Sequence, residues 1–278
     1  MSRKKITYNN DSFPILEQLY HNGQNNIWNG KEVLAELVEK HGAPNLSEDQ
    51  KKAIGSIFSI ILWGELAAWN ISSKLSFEID SVDAKLAATA QSHDEARHFY
   101  VMRDYLELIG VEPTEPPKRT EKTLSFISES NSLPKRLIGM QLMIEPIAIT
   151  IFKLVRETGV EPVLCDLLKL YEKDEARHIA LGVKYLPPLI KKMSRLKIVG
   201  LFIWQMRLMM HEVSSLRDFE KSFGIIGIDS ERVYSLAERK QMDAARQMGD
   251  EIGLPHILWR IMSGAARTKK RCQEMFGD

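Results

Sequence analysis

The chain carries the same five letters, DEARH, twice, as Asp94–His98 and eighty residues later as Asp174–His178. Each copy holds the pattern Glu-x-x-His, and another glutamate stands thirty residues before the glutamate of each pattern. Agreement in residue type, internal spacing and offset indicates a duplicated structural unit. The two copies together supply six residues with metal-binding side chains: Glu65, Glu95, His98, Glu145, Glu175 and His178.

The chemistry that suits these residue types is metal binding. Residues three apart share one face of a helix, so each histidine points the same way as the glutamate of its pattern. Burying four isolated carboxylates would be very costly. Two divalent ions would neutralise them, and neutral imidazoles would complete the coordination. One Glu from each of two helices and one Glu-x-x-His from each of two others form a recognised di-metal ligand set.

The elements that must position these residues are long helices. Apolar residues recur with the spacing of an α-helix along almost the whole sequence, and Gly and Pro lie mainly in the connections between the predicted helices. The pattern predicts two antiparallel helix pairs, which turn near Asp80 and near Val160. Within each pair the two glutamates lie fifteen residues to either side of the turn. All four therefore lie about 22 Å from a turn, at one level of a bundle.

Several residues mark where these helices begin and end. Ser47 and Gln50 have the spacing of a capping box at the start of the first long helix. Gly110 is predicted to close the second helix. Residues 111–120 form a proline-rich connection, and the Pro187–Pro188 pair is predicted to end the fourth helix.

The fold class predicted from this pattern is all-α, with a four-helix bundle over about residues 47–190. Additional helices are predicted within residues 12–42 and 193–275. No linker or low-complexity stretch divides the sequence, so residues 1–278 are predicted to form a single domain.

Composition excludes several other classes of protein. A net charge of +1 gives no strong field for nucleic acid, and 44% hydrophobic residues suit a globular core. Two cysteines form no disulfide framework, and the polar start is no secretory signal. The most apolar window carries Glu65 near its centre, so no membrane span is predicted. A cytoplasmic location is expected.

Residues next to the candidate ligands suggest an outer layer of the site. A metal-bound histidine usually donates its second N–H to a carboxylate. Asp94 and Asp174 precede the two Glu-x-x-His glutamates, and each is predicted to cross to the histidine of the opposite copy. The alternative is a solvated acid beside a neighbouring arginine. Pro146 is predicted to kink or bulge its helix, since it lacks the N–H that would bond residue 142.

The six residues resemble the ligand set of the ferritin-like di-iron carboxylate proteins. The stretch GQNNIWNGKEV, with Trp28, resembles a segment that the ribonucleotide reductase small subunit and its relatives carry before the first ligand helix. The resemblance implies two iron ions, or one manganese and one iron, and a homodimer. It also implies an electron route through Trp28, Asp174 and His98.

Departures from those relatives narrow the function. Met102 stands where radical-storing subunits usually have a tyrosine, and the last tyrosine of the chain is Tyr234. Met140 and Ala68 stand where related ligand-binding oxidases carry a Tyr–Val crosslink. Tyr171 stands where arylamine N-oxygenases have a third histidine, and it is expected to face the site as a hydrogen-bond donor, an oxidisable residue or a packed core residue.

The function predicted is a dioxygen-activating oxidase or oxygenase that acts on a small, apolar organic substrate and receives electrons from a donor. The alternatives are a radical-generating subunit, a non-enzymatic metal-binding protein and an acyl-carrier-protein desaturase. His93 and His211 are predicted to lie outside the ligand set. Four residues near the ligands are predicted to contact the substrate: Trp69, Phe99, Met102 and Gln141.

Overall fold

The computed structural model describes residues 12–248, and these residues contain helices and no β-strand. The helices are α1 (Pro14–Asn25), α2 (Gly30–His41), α3 (Glu48–Glu78), α4 (Val82–Leu108), α5 (Lys118–Ser128), α6 (Leu133–Leu137), a π-helix (Ile138–Ile144), α7 (Glu145–Thr158), α8 (Pro162–Lys191), α9 (Arg195–Leu216), α10 (Glu220–Ile225) and α11 (Ser230–Gln247). The predicted all-α class is confirmed.

The core is a bundle of two helix pairs, joined by short connections at the two predicted turns. Helix α3 packs along α4, the π-helix and α7 pack along α8, and α4 meets α8 across the middle. Helices α1 and α2 lie against the outer side of α4 and α8, whereas α11 packs on α7. The bundle therefore has one side covered by α1 and α2 and an opposite side where α3 and α7 face α5, α9 and α10.

Two predicted helix ends are confirmed and one is wrong. Ser47 and Gln50 form the reciprocal hydrogen bonds of a capping box. Gly110, at φ +69°, follows α4 in the left-handed conformation that glycine adopts without strain. The Pro187–Pro188 pair does not end α8, which continues to Lys191. Each proline removes one helical N–H bond and crowds the carbonyl four residues earlier, yet the helix continues, with Leu186 and Ile190 buried on either side of the pair.

Other differences concern elements that the sequence pattern did not indicate. Helix α5 begins at Lys118, inside the stretch predicted to be a connection, so that only residues 111–117 are irregular. The short helix α10 was also not predicted. A helix predicted from PHILWRIMSGAARTKKRC lies outside the described residues, and the single-domain prediction for residues 1–278 stays a prediction.

The predicted irregularity at Pro146 takes the form of a π-helix. The N–H of Glu145 donates to the carbonyl of Met140, five residues earlier, instead of to the fourth. Such wide turns occur mostly at functional sites. The side-chain amide of Gln241, on α11, donates to the carbonyl of Met143 at 2.9 Å and so satisfies an acceptor of the irregular segment.

Two helical stretches, Glu48–Glu78 and Leu133–Thr158, are long and apolar enough to cross a membrane by length and composition alone. In the bundle 61% and 78% of their most apolar windows are buried against other helices. Each also carries a buried glutamate, Glu65 or Glu145. These are the properties of core helices in a helical bundle, and they give weak evidence for a membrane span.

Replacement of Gly30 by alanine is expected to destabilise the fold. A Cβ at Gly30 would lie 2.0 Å from a methyl carbon of Val101, on α4. Overpacking of this kind typically costs about 1–3 kcal/mol. Chemical denaturation of Gly30→Ala measures the loss. Gly200→Ala is the matched control, because a Cβ there meets no atom within 4 Å and alanine favours the helix. Equal stability of the two variants would contradict the close packing of α2 on α4.

Candidate metal centre

The six predicted ligands come together in the middle of the bundle. Each pair of helices contributes one glutamate from its first helix and one Glu-x-x-His from its second. All six side chains are buried, with exposed fractions between 0% and 4%. Because both helix pairs turn at the predicted points, the residues lie at one level: Glu65 on α3, Glu95 and His98 on α4, Glu145 on α7, and Glu175 and His178 on α8.

The six residues form two overlapping groups. One group is Glu65, Glu95, His98 and Glu175, and the other is Glu95, Glu145, Glu175 and His178. Within each group one candidate ligand atom from every residue lies within 4.8 Å of the others. Two residues, Glu95 and Glu175, belong to both groups. The cluster can therefore hold two metal ions with two carboxylates between them.

Unpaired atoms inside the cluster fit this use. The Nδ1 atom of His98 lies 3.3 Å from a carboxylate oxygen of Glu65 and 3.2 Å from one of Glu175, yet it makes no hydrogen bond with acceptable geometry. The Oε2 atom of Glu95 is also buried without a partner. Buried polar atoms are normally paired, so lone pairs that converge on one point indicate a place for a cation.

The charges of the cluster also indicate a place for a cation. Burial raises the pKa of Glu65 and of Glu145 well above the ordinary value, and neighbouring carboxylates add to the rise. Burial lowers the pKa of His98, but the hydrogen bond to Asp174 and the nearby carboxylates of Glu175 and Glu65 outweigh it, and the pKa is raised. The carboxylate charges around His178 likewise raise its pKa against the effect of burial. Without a metal ion, protons supply the positive charge that the carboxylates need.

The two aspartates lie beside the histidines of the opposite copies. The Nε2 atom of His98 is 3.2 Å from Asp174, and the Nε2 atom of His178 is 3.4 Å from Asp94. In each histidine this leaves Nδ1 facing the glutamates. This is the arrangement in which a histidine binds a metal through one nitrogen while the other donates to a carboxylate.

The arginines of the two DEARH copies complete a closed ring with these aspartates. Arg97 contacts Asp94 at 2.6 Å and Asp174 at 2.8 Å. Arg177 contacts the same two aspartates at 3.0 Å and 2.6 Å. Burial raises the pKa of Asp94 and of Asp174, but the histidines and arginines outweigh it and hold both below the ordinary value. The sequence alone did not indicate that each arginine joins both halves.

Two aromatic residues lie on the His98 side of the cluster. The indole N–H of Trp28 donates to Asp174 at 2.9 Å, and the guanidinium of Arg97 lies 4.6 Å from the centre of its ring. Tyr171 is fully buried, and its ring stacks on that of His98 with centroids 4.1 Å apart. Its hydroxyl donates to the carbonyl of His98 at 2.7 Å. Tyr171 thus faces the site as expected, as a packed residue with a bonded hydroxyl.

An apolar cavity of about 80 Å³ reaches the cluster from the side covered by α5 and α9. Three carboxylates, those of Glu65, Glu95 and Glu145, lie in its wall. Its remaining lining is mainly aliphatic and aromatic, from α3, α5, the π-helix, α7, α9 and the residue before α10: Ile60, Ile61, Ala68, Leu124, Met140, Ile144, Ile147, Ala148, Ile151, Leu216 and Phe219.

The four residues predicted to contact a substrate are not among those that line this cavity, and their contact with a substrate stays a prediction. Trp69 is 38% exposed and packs against Phe99. Met102 is fully buried in the apolar core, and Gln141 donates a hydrogen bond to Gln91. A position one turn from a ligand can face a neighbouring helix instead of the open space, and packing alone decides between the two.

The two other histidines of the sequence analysis lie outside the cluster. The side chain of His93 is 60% exposed, and Nδ1 of its ring lies 3.4 Å from Arg97. His211 packs against the ring of Phe126, with centroids 5.0 Å apart.

Comparisons with known proteins show the fold. No protein-family model matches the sequence, and no curated protein matches it. Among solved structures, the dimanganese(II)-NrdF of Streptococcus sanguinis has a TM-score of 0.74 at 13% identity, with 91% of this chain and 95% of that chain covered. A variant of an R2-like ligand-binding oxidase with a Mn/Fe cofactor has a TM-score of 0.68 at 16% identity, with 84% and 93% covered.

A third solved structure, a protein with aldehyde deformylating oxidase activity from Synechococcus, has a TM-score of 0.64 at 14% identity. It is covered over 98% of its length by 80% of this chain. The fold is therefore that of the ferritin-like helical bundles, as the six-residue pattern predicted.

Metal binding is expected to release protons and to strengthen as pH rises. The raised pKa values of His98 and His178 mean that both imidazoles hold protons in the metal-free protein at neutral pH. A metal ion must displace those protons, so acid opposes binding. Titration calorimetry with Mn²⁺, at pH 6 and pH 8 and in buffers of different ionisation enthalpy, measures both effects. Affinity independent of pH would contradict this account.

Asp174→Asn is expected to weaken metal binding by roughly tenfold to a hundredfold, the usual effect of losing an outer carboxylate partner. The amide removes a negative charge from Arg97 and Arg177 and offers His98 a weaker acceptor. Metal titration of the purified variant gives the readout. Asp166→Asn, on the same helix but paired only with Lys40, His41 and Lys169, is the control. Unchanged metal affinity in Asp174→Asn would show that Asp174 does not support metal binding through His98.

Proposed function

We propose that the chain is a dioxygen-activating di-metal carboxylate oxidase or oxygenase that acts on a small, apolar organic substrate. One observation carries the proposal: the two overlapping metal-binding groups share the wall of an apolar cavity. Glu65, Glu95 and Glu145 belong to both the cluster and the cavity. A molecule in the cavity would therefore lie next to the metal ions.

The proposed cofactor is two iron ions, or one manganese and one iron. Carboxylate and imidazole ligands suit both metals. When bound, the ions supply the electrons that reduce dioxygen and the oxidising power for a C–H or N–H group. The six ligands of the chain would hold the two ions, with Glu95 and Glu175 between them. The aspartate and arginine ring would fix the two histidines with Nδ1 toward the ions.

The cavity supports an apolar substrate. Apart from the three metal-site carboxylates, its lining contains no charged residue among residues 12–248. Thr120, Thr123 and Ser215 are its remaining polar side chains. A molecule with hydrocarbon groups would displace water from this space and gain free energy from burial of its surface. Exclusion of water would also strengthen the electrostatic interactions around the metal ions.

The contacts of Trp28 support an electron route from an external donor. Trp28 donates a hydrogen bond to Asp174, and the same oxygen atom of Asp174 lies beside His98. Trp28 is only partly buried, so the three residues connect the protein surface with a proposed metal ligand. The residue types and order agree with the route that the family resemblance implies.

The solved structures with the same fold support the choice of chemistry. One contains a Mn/Fe cofactor and another two manganese ions, and a third has aldehyde deformylating oxidase activity. Sequence identity of 13–16% supports the fold alone, so substrate and metal pair rest on the residues of this chain. A cytoplasmic location and a homodimer remain predictions.

The second candidate is a radical-generating subunit that serves a larger protein. Stacking of the oxidisable Tyr171 against His98 is the observation in its favour. Two other features oppose it. Met102 occupies the position of the usual radical tyrosine and lies in the apolar core. The hydroxyl of Tyr171 donates to a backbone carbonyl, which is a poor acceptor for a proton. A stable radical without consumption of a small molecule would favour this candidate.

Ala68→Leu is expected to abolish most substrate-dependent dioxygen uptake while the chain still binds two metal ions. Ala68 is buried and lines the cavity, so a larger side chain fills the proposed substrate space. An oxygen electrode with a panel of apolar amines, aldehydes and hydrocarbons, together with metal analysis, gives both readouts. Ala67→Leu, on the same helix but outside the cavity lining, is the control. Equal dioxygen uptake by the two variants would contradict the assignment of the cavity as the substrate site. Failure of the wild-type protein to bind metal ions would contradict the proposed function.

A further inference from the structure

The duplicated unit differs between its two copies at three positions that meet in space. Counting eighty residues from one copy to the other pairs Ile61 with Gln141, Gln91 with Tyr171, and Met102 with Gly182. The ligands and the DEARH letters are identical in both copies, so these differences distinguish the surroundings of two otherwise equivalent groups. They lie beside the group that contains Glu145 and His178.

Gln91 donates to two proposed ligands at once. Its side-chain nitrogen lies 3.0 Å from Oε1 of Glu95 and 3.1 Å from Oε1 of Glu145. Both acceptors are carboxylates, so the amide hydrogens lie between two groups that repel one another. The side chain of Gln91 is itself 1% exposed. A buried neutral donor in this position reduces the repulsion and fixes the orientation of both carboxylates.

Gln141, in the π-helix, orients the first amide. Its side-chain nitrogen donates to the oxygen of Gln91 at 3.0 Å, and Gln141 is fully buried. This bond takes up the amide oxygen of Gln91 and directs the nitrogen toward the carboxylates. The amide oxygen of Gln141 has no partner, so the chain of donors runs in one direction, toward the ligands.

Gly182 provides the space for Gln141. A Cβ on Gly182 would lie 2.6 Å from the Cβ of Gln141, closer than a Cβ atom approaches a non-bonded neighbour. In the other copy the equivalent pair is Met102 and Ile61, both apolar. These three of the differences between the copies therefore concern one feature, the buried pair of amides.

Glu65, the carboxylate that belongs to the other group alone, has no such donor within residues 12–248. Within residues 12–248, no asparagine or glutamine donates to Glu65 or Glu175. The residue equivalent to Gln91 is Tyr171, whose hydroxyl is bonded to the carbonyl of His98 instead of to a ligand carboxylate. The two metal positions are thus unequal in their hydrogen bonds although their ligand types are the same.

We propose that Gln91 and Gln141 are positioning residues that orient Glu145 and the shared Glu95. They favour binding of the metal ion in the group that contains Glu145 and His178, here called the second ion, over binding of the ion in the other group, the first. The inference rests on the di-metal site of the proposed function. Glu145 follows a π-helix and precedes a proline, so its backbone is held less regularly than that of the other ligands. The amide of Gln91 supplies the orientation that the irregular backbone does not.

The test is an anaerobic titration of metal-free protein with Mn²⁺, in which calorimetry measures the binding of each ion and spin-resonance spectra show whether the bound ions are isolated or coupled. Wild-type protein is expected to bind two ions, and the second addition should convert the spectrum of an isolated ion to that of a coupled pair. In Gln91→Leu the affinity of the second ion is expected to fall by about tenfold or more, while the first is retained. The spectrum of the isolated ion then persists after two equivalents.

Two further variants separate positioning from general destabilisation. Gln141→Leu leaves both bonds from Gln91 to the carboxylates and removes the bond that orients it, so a smaller fall in second-ion affinity is expected. Thr89→Ala, on the exposed side of α4, is the control and is expected to match wild type. Circular dichroism verifies the helical fold of each variant.

Either of two results would overturn the inference: wild-type affinity for both ions in Gln91→Leu, or an equal loss for both ions in a folded variant. A wild-type chain that binds no metal would instead overturn the proposed function, and the inference with it. If Gln91→Leu does not fold, the Gln141→Leu titration decides, because unchanged binding there would contradict the role of the amide pair.

Discussion

The constraint on which the structure depends is the burial of four carboxylates at one level of a helical bundle. Glutamates in a dry interior repel each other, and each loses the hydration that stabilises its charge. Protons or metal ions at the centre compensate these charges. Two histidines lie beside them, and a ring of two aspartates and two arginines surrounds the histidines. Helix lengths, turn positions and the duplicated pentapeptide all serve to bring these groups into register.

The duplication explains why the five letters recur together. Glutamate and histidine face the centre, whereas aspartate and arginine pass to the opposite copy, so each copy is incomplete without the other. Such reciprocal contacts tie α4 to α8 through charges that have partners on both sides. Breaking one member would leave a buried charge without compensation, which costs more than the contact contributes.

Much of the fold and the placement of the six residues could be predicted, because helix periodicity and spacing are local properties of the sequence. The capping residues and the irregular turn at Pro146 could also be predicted, because each depends on a few neighbouring residues of the sequence. The cavity could not be predicted, since its outer wall includes Thr120 and Leu124 from α5, a helix that the proline-rich stretch concealed. The ring of arginines was missed because an arginine three residues after an aspartate first suggests a pair within one helix. Trp69 and Phe99 show the same limit of prediction. The spacing of residues predicts which face of a helix a side chain lies on, but it does not predict what packs against that face.

The bundle keeps its two approaches to the centre apart. Trp28 lies on the side covered by α1 and α2, and the cavity opens on the side of α5 and α9. A reductant bound over Trp28 and an organic molecule in the cavity would occupy opposite surfaces and would not compete. Separate surfaces would allow both partners to be bound at the same time, in either order.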